Sequence, residues 1–533
     1  MKFKRLMCSI LVSVLVFSMF GCGKGEKDTD VGVDEDTGMP EKLTIFCHFN
    51  PNVAKLGNDY NVVYGFQLLE EATGCQVEWV LPYGGNNSTE EQFNLMLLSR
   101  DYPDVIVSTW AKKSGGIQKY EQDGVIINVT DLVEKYMPNF KKYGDENPKV
   151  KKQYTTIDGQ IYYFPFIRKD AQLGVFCGPN IRMDWLEKLN LAVPNTPEEL
   201  HNVLRAFKTK DPNGNGVADE IPMSGQSLKG IFGIEHLFWP FDVPIGLFVE
   251  DGKIKYGVMD ERFEQALTFV SNLFAEGLID LDFMLNDRTK LVGKITNNQV
   301  GFATDYQPSQ IMSTMETKDL NFKFEGIPYL ANKKGERKVF AGGVNEPSVT
   351  DISAAISTAN KNPIGTAKWF DFIYSEAGTY MMNFGKEGVT YTMVDGYPKL
   401  TDKLLNNQEG LTKTDAFTKY IAAYNSFFPM FQDWRYYEQY LHESGKRAID
   451  VWTKSMDTSG MVPNYLPFTD EERGVIAQIE EQINTYVEEY VSKTIIGKDT
   501  PQNLPVVREQ IRKMGIDQLL DAYQAAYNRY INM

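Results

Sequence analysis

The sequence predicts an α/β protein of two or more lobes, and three observations support this prediction. The chain has 533 residues, which is far more than one hydrophobic core normally organises. Apolar runs of strand length alternate with segments of helical period in the first part of the chain, which indicates a parallel sheet with helices on both faces. The C-terminal third has the period of helices, at 415–424, 434–443, 470–492 and 504–530.

The first unit of the chain follows the strand–helix alternation most clearly. A buried strand is predicted at 42–48, a helix at 63–73 that Gly74 ends, a strand at 76–81, a helix at 89–99 and a strand at 103–108. In open α/β sheets, ligands bind beyond the carboxyl ends of the strands. Trp110 follows the third strand at such an end and is therefore a candidate ligand contact.

The middle of the chain continues with shorter elements. A hairpin around 158–166 is expected near a crossing between lobes, and a strand at 300–304 is followed directly by Asp305 and Tyr306. The remaining predictions are a strand at 174–177, helices at 181–190, 263–276, 363–374 and 378–385, and extended segments at 322–330, 339–341 and 351–358.

The N-terminus has the parts of a bacterial lipoprotein signal. Lys2, Lys4 and Arg5 precede an apolar run at 6–20, which is too short for a comfortable membrane span but suits a signal peptide. Gly21 and Cys22 follow at once, so residues 1–21 are predicted to be cleaved and Cys22 to be lipidated, with palmitate among the acyl chains. Residues 22–41 are predicted to form a disordered tether. An uncleaved anchor helix is the alternative.

Composition excludes several classes of function. The net charge of −16 argues against nucleic acids and anionic membrane surfaces as partners. The sequence has no HExxH motif, G-x-S-x-G elbow or P-loop, although the abundant carboxylates leave a pair of glycosidase carboxylates possible.

Cys47, Cys75 and Cys177 are expected to be buried, inert thiols without a disulfide.

Residues 196–222 carry the most specific chemistry. Thr196, Pro197 and Glu199 predict a capped helix whose apolar face repeats at Leu200, Val203, Leu204 and Phe207. The following loop, DPNGNGVADEIP, places oxygen ligands at alternate positions around Gly216, as in part of an EF-hand, but its twelfth position is Pro222. We expect a structural Ca²⁺ here; a metal-free turn is the alternative. The expected ligands are the side chains of Asp211, Asn213, Asn215, Asp219 and Glu220 and the carbonyl of Val217.

From signal to last helix, the chain resembles the extracellular solute-binding lipoproteins of bacterial ABC importers, in the carbohydrate-binding group of the LplA and alginate-binding types. The stretches that carry this resemblance are the lipobox and acidic tether, KLTIFCHF, RMDWLEKL, VPNTPEEL, the DPNGNGVADEIP loop, IIGK at 495–498 and the sequence 515–530. The lipobox departs from the usual pattern at Met19 and Phe20. The resemblance also implies calcium bound at the positions given above.

This resemblance implies a Venus-flytrap architecture, with two α/β lobes, a cleft between them, strands that cross a hinge, and a helical C-terminal extension. Lobe 1 is expected at 42–163 plus 330–395. Lobe 2 is expected at 164–329 plus 400–533, and it would carry the calcium loop. The cell type implied is Gram-positive, with the protein held outside the membrane by its lipid and working as a monomer.

Sugar binding needs aromatic platforms and planar polar groups, because sugars present both apolar faces and hydroxyl edges. Candidate cleft residues lie near predicted strand ends and in predicted loops between the lobes, and core packing is the alternative for each. They are Trp110, Asp305, Tyr306, Arg168, Trp185, Trp239, Phe241, Trp434, Arg435 and Tyr436. Trp369 and Trp452 have helical spacing and are predicted to lie in the core.

The leading hypothesis is a lipid-anchored binding protein, not an enzyme, that captures an oligosaccharide and delivers it to an ABC permease. A second hypothesis is an anchored glycosidase or lyase. A third keeps the binding fold but changes the cargo to a peptide, or gives the protein a role as a ligand sensor.

Overall fold

The computed structural model describes residues 38–82, 86–113, 115–230, 232–340 and 348–533. The predicted signal peptide, Cys22 and the tether up to residue 37 lie outside these described residues. None of the helices in the described ranges is long and apolar enough to cross a membrane.

The strands, in chain order, are β1 Lys42–Phe46, β2 Gln76–Val80, β3 Val105–Ser108, β4 Phe164–Arg168, β5 Cys177–Arg182, β6 Ile221–Ser224, β7 Leu247–Glu250, β8 Lys253–Tyr256, β9 Val300–Tyr306, β10 Phe324–Gly326, β11 Ser348–Ile356, β12 Tyr391–Val394, β13 Tyr397–Leu400 and β14 Phe431–Gln432.

The helices are α1 Pro51–Ala54, α2 Tyr64–Thr73, α3 Asn86–Ser99, α4 Ile117–Gln122, α5 Thr130–Tyr136, α6 Pro138–Glu146, α7 Pro148–Lys151, α8 Met183–Leu189, α9 Pro197–Thr209, α10 Phe263–Ala275, α11 Arg288–Thr296, α12 Ser309–Met315, α13 Pro363–Tyr374, α14 Glu376–Phe384, α15 Asp402–Leu405, α16 Lys413–Tyr420, α17 Trp434–Tyr440, α18 Glu443–Ser455, α19 Asp470–Ile495, α20 Leu504–Lys513 and α21 Ile516–Asn532.

The first sheet has the strand order β14-β4-β11-β3-β1-β2. Strand β1 pairs in parallel with β2 and β3, as the strand–helix alternation predicted. Strand β11 runs antiparallel to β3 and β4, and β14 runs parallel to β4. The carboxyl ends of β1, β3, β4 and β14 therefore meet at one edge of the sheet, where β11 begins.

The second sheet has the order β10-β5-β9-β6. Strand β6 runs parallel to β9, whereas β5 is antiparallel to β9 and β10. The carboxyl ends of β6 and β9 therefore lie at the same edge as the first residue of β5. Two hairpins, β7–β8 and β12–β13, complete the described strands.

Each sheet has its own large hydrophobic core. The first core combines buried side chains from Leu43 to Ile167 with others from Val349 to Tyr436. The second combines residues from Val175 to Val339 with residues from Leu441 to Leu519, including the C-terminal helices. The first core ends one run at Ile167 and the second begins at Val175; the second core then reaches Val339, the first resumes at Val349 and ends at Tyr436, and the second resumes at Leu441.

These core boundaries differ from the expected lobe boundaries. Residues 400–436, which were expected in lobe 2, pack in the first core through Phe417, Phe428 and Tyr436. The helical period of this part of the chain was clear in the sequence, but helical period does not tell which of two sheets a helix covers. The helical extension of lobe 2 begins only at α18.

The predicted hairpin around Gly159 is absent from the structure, whereas the predictions for the cysteines and for two tryptophans are confirmed. Gly159 has a positive φ of 78° in the predicted turn, but helix α7 precedes it, so no hairpin forms there. Cys47, Cys75 and Cys177 are free and buried, as predicted, and burial raises the pKa of each thiol. Trp369 and Trp452 are fully buried in the two cores, which confirms their predicted role.

Candidate functional site

The candidate site lies where the edges of the two sheets approach each other. On the first sheet, Arg168 is the last residue of β4 and is aligned with Ser348 on one side and Gln432 on the other. On the second sheet, Tyr306 ends β9 and is aligned with Cys177, the first residue of β5. These are the carboxyl-end positions at which ligands bind in open α/β sheets.

Phe176 connects the two edges. Its ring centroid lies 5.7 Å from the guanidinium carbon of Arg168 and 5.9 Å from the ring centroid of Tyr306. Tyr306 also lies 4.6 Å from Phe232, and Arg288 lies 4.8 Å over its ring. We call Arg168, Phe176, Tyr306, Asp351 and Tyr437 the junction cluster, because these residues come from both sheets and from the helix α17 between them.

Arg168 is the least satisfied charge of the junction cluster. Burial lowers the pKa of its guanidinium, while Tyr436, Tyr437, Tyr465 and Asp351 act in the opposite direction. Within the described residues its side chain has neither an ion pair nor a hydrogen bond. A guanidinium has five N–H donors, so this half-buried group is available to an oxygen-rich ligand.

Asp351 faces Arg168 but is already engaged by other groups. Its carboxylate accepts a hydrogen bond from Lys112 at 2.5 Å and another from the hydroxyl of Tyr465 at 3.1 Å. Tyr465 belongs to the segment that leads from the second core into α19, and its hydroxyl also donates to the carbonyl of Val349 at 3.2 Å. This segment therefore contacts the first sheet beside the junction cluster.

Asp305, next to Tyr306, has one carboxylate oxygen without a hydrogen-bond partner. Its Oδ1 accepts hydrogen bonds from Arg288 at 3.2 Å and from Gln226 at 3.3 Å. Its Oδ2 is buried and has no partner among the described residues. Burial raises the pKa of this carboxyl, although the charge of Arg288 opposes the shift. Leaving a buried acceptor unpaired costs about 1–3 kcal/mol, so this oxygen lowers the stability of the fold as it stands.

Trp110 is not part of this site, contrary to expectation. Its side chain is fully buried, and its indole N–H donates to the carbonyl of Ile106 at 2.9 Å. Phe93 and Tyr120 pack against the ring with centroids 5.6 Å and 5.4 Å away. Lys112, two residues after Trp110, is the side chain from the end of β3 that reaches the junction cluster, through its hydrogen bond to Asp351.

Three other aromatic candidates also lie in the second core. Trp185 is 1% exposed and packs edge-on against Phe207 at 5.2 Å. Trp239 is buried near Tyr329, and Phe241 is half-buried against Phe269. A sugar platform needs an open ring face, and the buried Trp185 and Trp239 offer none, so these two predictions are wrong. Phe241 is half-buried, and its place in the cleft stays a prediction.

The three candidate cleft residues of α17 point in different directions. Trp434 is half-buried beside Tyr437, at 5.9 Å between ring centroids, and stays near the junction cluster. Tyr436 is fully buried, with its hydroxyl accepting from Gln432 at 2.7 Å. Arg435 pairs with Asp433 and lies over Tyr380 and Phe384 of the first core, so it is a packing residue there. Tyr437 is the member of this helix that the sequence analysis missed.

The residues that sequence analysis missed come from separate segments. They are Lys112, Phe176, Gln226, Phe232, Arg288, Asp351, Tyr437 and Tyr465. Two signals were available: Lys112 follows a predicted strand, and Tyr437 lies in the aromatic-rich stretch 427–440. Arg288 and Asp351 carry no local signal, because only the fold brings them to the sheet edges.

The predicted calcium loop lies at the opposite end of the second sheet. Thr196 caps α9 by accepting from the backbone N–H of Glu199 at 3.2 Å, and the carboxylate of Glu199 accepts from the N–H of Asn195 at 2.7 Å. Helix α9 then leads into the loop, and strand β6 starts at Ile221 directly after it. As expected from Pro222, no helix follows the loop.

The donor set of the loop fits a hard cation. The Nδ2 groups of Asn213 and Asn215 each donate a hydrogen bond of 3.0 Å to Oδ1 of Asp219, so the side chains of three predicted ligand residues lie together. Oε1 of Glu220 is buried without a hydrogen-bond partner among the described residues. Its pKa is raised by burial and then by the charges of Asp211 and Asp219. A divalent cation would offset the repulsion between these carboxylates and would coordinate the unpaired oxygen of Glu220.

The described residues contain no group of three or more His, Cys, Asp and Glu side chains placed together for a metal ion. A calcium shell in this loop would therefore draw on amide and main-chain oxygens as well as carboxylates, as calcium sites in proteins do.

His236 makes the stability of the second core depend on pH. It is buried beside Thr304, whose hydroxyl lies 2.8 Å from Nδ1, and burial lowers the pKa of the imidazole to about 4. Below pH 6.5 the unfolded chain binds a proton that the folded chain excludes. The free energy of unfolding should therefore fall by roughly 3 kcal/mol as the pH decreases from about 6.5 to about 4.

Urea unfolding at pH 7, 5.5 and 4.5 measures this effect. The variant His236→Gln lacks the titrating group, so its stability should depend less steeply on pH across this range. Equal pH slopes for the wild type and the variant would contradict the assignment.

Comparison with known proteins places this geometry in context. The model of the bacterial extracellular solute-binding protein family matches residues 57–380. The chain is 28% identical to the fructooligosaccharide ABC transporter substrate-binding protein FusA of Streptococcus pneumoniae serotype 4, over 99% of both chains. It is 27% identical to the lipoprotein LipO of Bacillus subtilis, over 65% of this chain and 68% of LipO.

Solved structures resemble the whole described fold. FusA in complex with kestose has a TM-score of 0.73 at 27% identity, and covers 92% of this chain and 99% of its own. The alginate-binding protein AlgQ2, in a structure without calcium ion, has a TM-score of 0.70 at 25% identity with the same coverage. An EF-hand mutant of FusA with fructo-nystose gives 0.71 at 26% identity, again with this coverage. These likenesses confirm the predicted two-lobed α/β fold.

Proposed function

Because the chain belongs to the family of bacterial extracellular solute-binding proteins, we propose that it captures an oligosaccharide between its two lobes and delivers it to an ABC permease. Its relatives are substrate-binding proteins of ABC transporters and sugar-binding proteins. Binding and release, without cleavage, is the activity we propose for this chain.

The junction cluster is the single observation that carries the proposal. Phe176 contacts Arg168 on one sheet edge and Tyr306 on the other, so a ligand placed there touches both lobes. Ring faces suit the C–H face of a sugar, and the free donors of Arg168 suit its hydroxyl groups. Asp305 lies beside them, and its buried Oδ2 has no hydrogen-bond partner among the described residues. A ligand that contacts both lobes stabilises the closed arrangement, which is how such proteins signal that they are loaded.

The relatives support an oligosaccharide as the ligand. FusA is described as a fructooligosaccharide-binding protein and was solved with kestose, and it aligns with nearly the whole of this chain. We extend this ligand class, but not the particular sugar, to the present protein.

The proposal includes a lipid anchor on Cys22 that keeps the protein on the outer side of the cell membrane, next to its permease. Gly21 and Cys22 after the apolar run at 6–20 support it, as does the similarity to the lipoprotein LipO. In this arrangement the protein acts as a monomer that is attached to the membrane through its lipid.

We propose that the loop 211–220 binds a structural calcium ion. The orphaned oxygen of Glu220 and the convergence of Asn213 and Asn215 on Asp219 support this. The carbonyl of Val217 and the carboxylate of Asp211 complete the expected ligand set. The ion would stabilise one lobe without touching the sugar.

A thermal-shift screen of the mature protein tests the function. The panel should contain neutral and acidic plant and host glycans, together with peptide mixtures, and each reaction should be assayed for new reducing ends. A glycan at about 100 times its dissociation constant stabilises the protein by about 2.7 kcal/mol, which raises the melting temperature by several degrees.

The outcomes separate the hypotheses. The proposal requires a higher melting temperature with at least one glycan and no new reducing ends. Stabilisation by peptides alone would favour a peptide-binding protein or sensor with the same fold, and the appearance of new reducing ends would favour an anchored enzyme.

A further inference from the structure

The loop between α9 and β6 contains the two asparagine–glycine pairs of the chain, Asn213–Gly214 and Asn215–Gly216. At such a pair the backbone nitrogen of the glycine can attack the side-chain carbonyl carbon of the asparagine, because glycine has no Cβ that blocks the approach. The new C–N bond closes a succinimide ring, and the side-chain amide leaves as ammonia. Water then opens the ring, which leaves aspartate or isoaspartate in the chain. Asparagine is a thermolabile residue in proteins, and these two pairs have the least hindered geometry for the reaction.

The reacting groups of the loop are accessible, whereas those of a comparable site are not. Residues 214–218 are exposed and Asn213 is half-buried. Asn425 also precedes a small residue, Ser426, but it is buried, and its side-chain amide donates to the carbonyl of Thr418 at 3.0 Å. Exposure therefore favours the reaction in the loop over the reaction at Asn425.

Asp211 holds the two nitrogens that would attack. Its Oδ1 accepts a hydrogen bond from the backbone N–H of Gly214 at 2.8 Å, and its Oδ2 accepts from the backbone N–H of Gly216 at 3.1 Å. Oδ1 also accepts from the backbone N–H of Asn215 at 3.1 Å. The glycine nitrogen must lose its proton in order to attack, and a carboxylate that accepts this N–H opposes the loss through its negative charge. Asp211 is therefore placed to slow the reaction at both pairs.

The side chain of Asn213 is held more firmly than that of Asn215. Nδ2 of Asn213 donates to Oδ1 of Asp219 at 3.0 Å and to the carbonyl of Asn298 at 3.3 Å, in a half-buried position. Asn215 is exposed, and its Nδ2 donates to the same oxygen of Asp219 at 3.0 Å. Because the side-chain carbonyl must turn towards the glycine nitrogen, the less restrained Asn215 should react first.

We infer that Asn215–Gly216 is a self-modification site, where Asn215 converts to aspartate or isoaspartate, and that the carboxylate of Asp211 slows this conversion by holding the N–H of Gly216. Each conversion consumes one water molecule, releases one ammonia molecule and needs no other reactant. Isoaspartate lengthens the main chain by a methylene group, so the oxygens of a converted loop no longer keep the spacing that a metal ion requires. The inference goes beyond the proposed function and does not rest on sugar binding.

Peptide mapping by mass spectrometry, after incubation of the mature protein at mildly alkaline pH in EDTA, tests the inference. Each conversion replaces an amide NH₂ group with OH, which changes the mass of the peptide and releases ammonia that a coupled assay measures. The full chain unfolded in guanidinium chloride gives the unrestrained rates, which should be similar at the two pairs. In the folded chain, Asn215 should react before Asn213 and about tenfold more slowly than in the unfolded chain, because the loop must open locally first. Asn425 should stay unconverted in the folded chain.

The variant Asp211→Asn separates the two pairs. Its remaining carbonyl oxygen can still accept from Gly214, but the amide nitrogen that replaces Oδ2 cannot accept from Gly216. Conversion at Asn215 should become about tenfold faster, while conversion at Asn213 should change by less than about threefold. The introduced asparagine adds no new site, because it precedes Pro212, whose nitrogen has no proton to lose.

Glu220→Gln is the matched control. Glu220 belongs to the same loop, and its hydrogen bond is to the backbone of Asn213, so the rate at Asn215 should stay within about twofold of the wild type. EDTA removes divalent cations from every sample, so the result does not depend on the proposed calcium site. Melting curves in EDTA establish that each variant is folded.

Three results would overturn the inference. The first is a rate at Asn215 that is equal or lower in Asp211→Asn than in the wild type. The second is a wild-type rate at Asn215 that is the same in the folded and the unfolded chain. The third is conversion of Asn213 before Asn215 in the folded wild type, and this comparison decides the matter if Asp211→Asn proves to be misfolded. None of these results bears on the proposed sugar binding.

Discussion

Replacing Arg168 with methionine should weaken oligosaccharide binding by about a hundredfold. The guanidinium lies half-buried over Phe176 without a partner in the described chain, so its donors are free for the ligand. The loss of two charge-assisted hydrogen bonds, each contributing about 1.5 kcal/mol, corresponds to this factor. Calorimetry with the best glycan of the screen measures the change.

The same variant should melt within a few degrees of the wild-type temperature, because methionine replaces a half-buried charge that has no partner in the described chain. Arg435→Met provides the matched control. Arg435 pairs with Asp433 and packs on Phe384, so its removal should lower the melting temperature and leave affinity within about twofold. A destabilised Arg168→Met variant with normal affinity would show that Arg168 supports the fold and does not contact the sugar.

Removing calcium should lower the melting temperature by roughly 5–10 °C, the second large effect that we expect. In millimolar calcium, a site with micromolar affinity stabilises the folded chain by about 3–4 kcal/mol. Without the ion, the carboxylate of Glu220 stays buried beside Asp211 and Asp219; burial, and then these two charges, raise its pKa. Thermal unfolding in calcium and in EDTA measures the difference.

Asp211→Ala should melt near the temperature of the wild-type protein in EDTA, and EDTA should have no further effect on it. Magnesium should not restore the stability, since it prefers fewer protein ligands and more water. At low temperature, sugar affinity should survive EDTA, because the loop and the junction cluster lie at opposite ends of β9. If EDTA leaves the melting temperature unchanged and elemental analysis finds no calcium, the proposed calcium site is contradicted.

The sequence predicted best the features that are encoded locally. The alternation of apolar strands and amphipathic helices predicted the parallel pairing of β1 with β2 and β3, because period and buried run length report directly on secondary structure. The helix cap at Thr196 was likewise encoded in neighbouring residues, and so was the break after the calcium loop, where Pro222 disfavours a helix and strand β6 is found.

The cleft was harder to predict, because an aromatic residue near a strand end can turn towards the core or away from it. Trp110, Trp185 and Trp239 all turn inward, where burial of a large ring stabilises the fold by several kcal/mol. The side chains that do gather at the junction, such as Arg288 and Asp351, come from segments with no ligand signal of their own. Only the pairing of distant strands places them together.

Calorimetric titration with a glycan identified by the screen, followed by mass analysis of the sugar recovered from the protein, tests the central claim most directly. We expect one site per chain and a sugar of unchanged mass, as required of two lobes that hold and release a ligand. Recovery of a shortened sugar, or no binding heat from any glycan in the panel, would contradict this account.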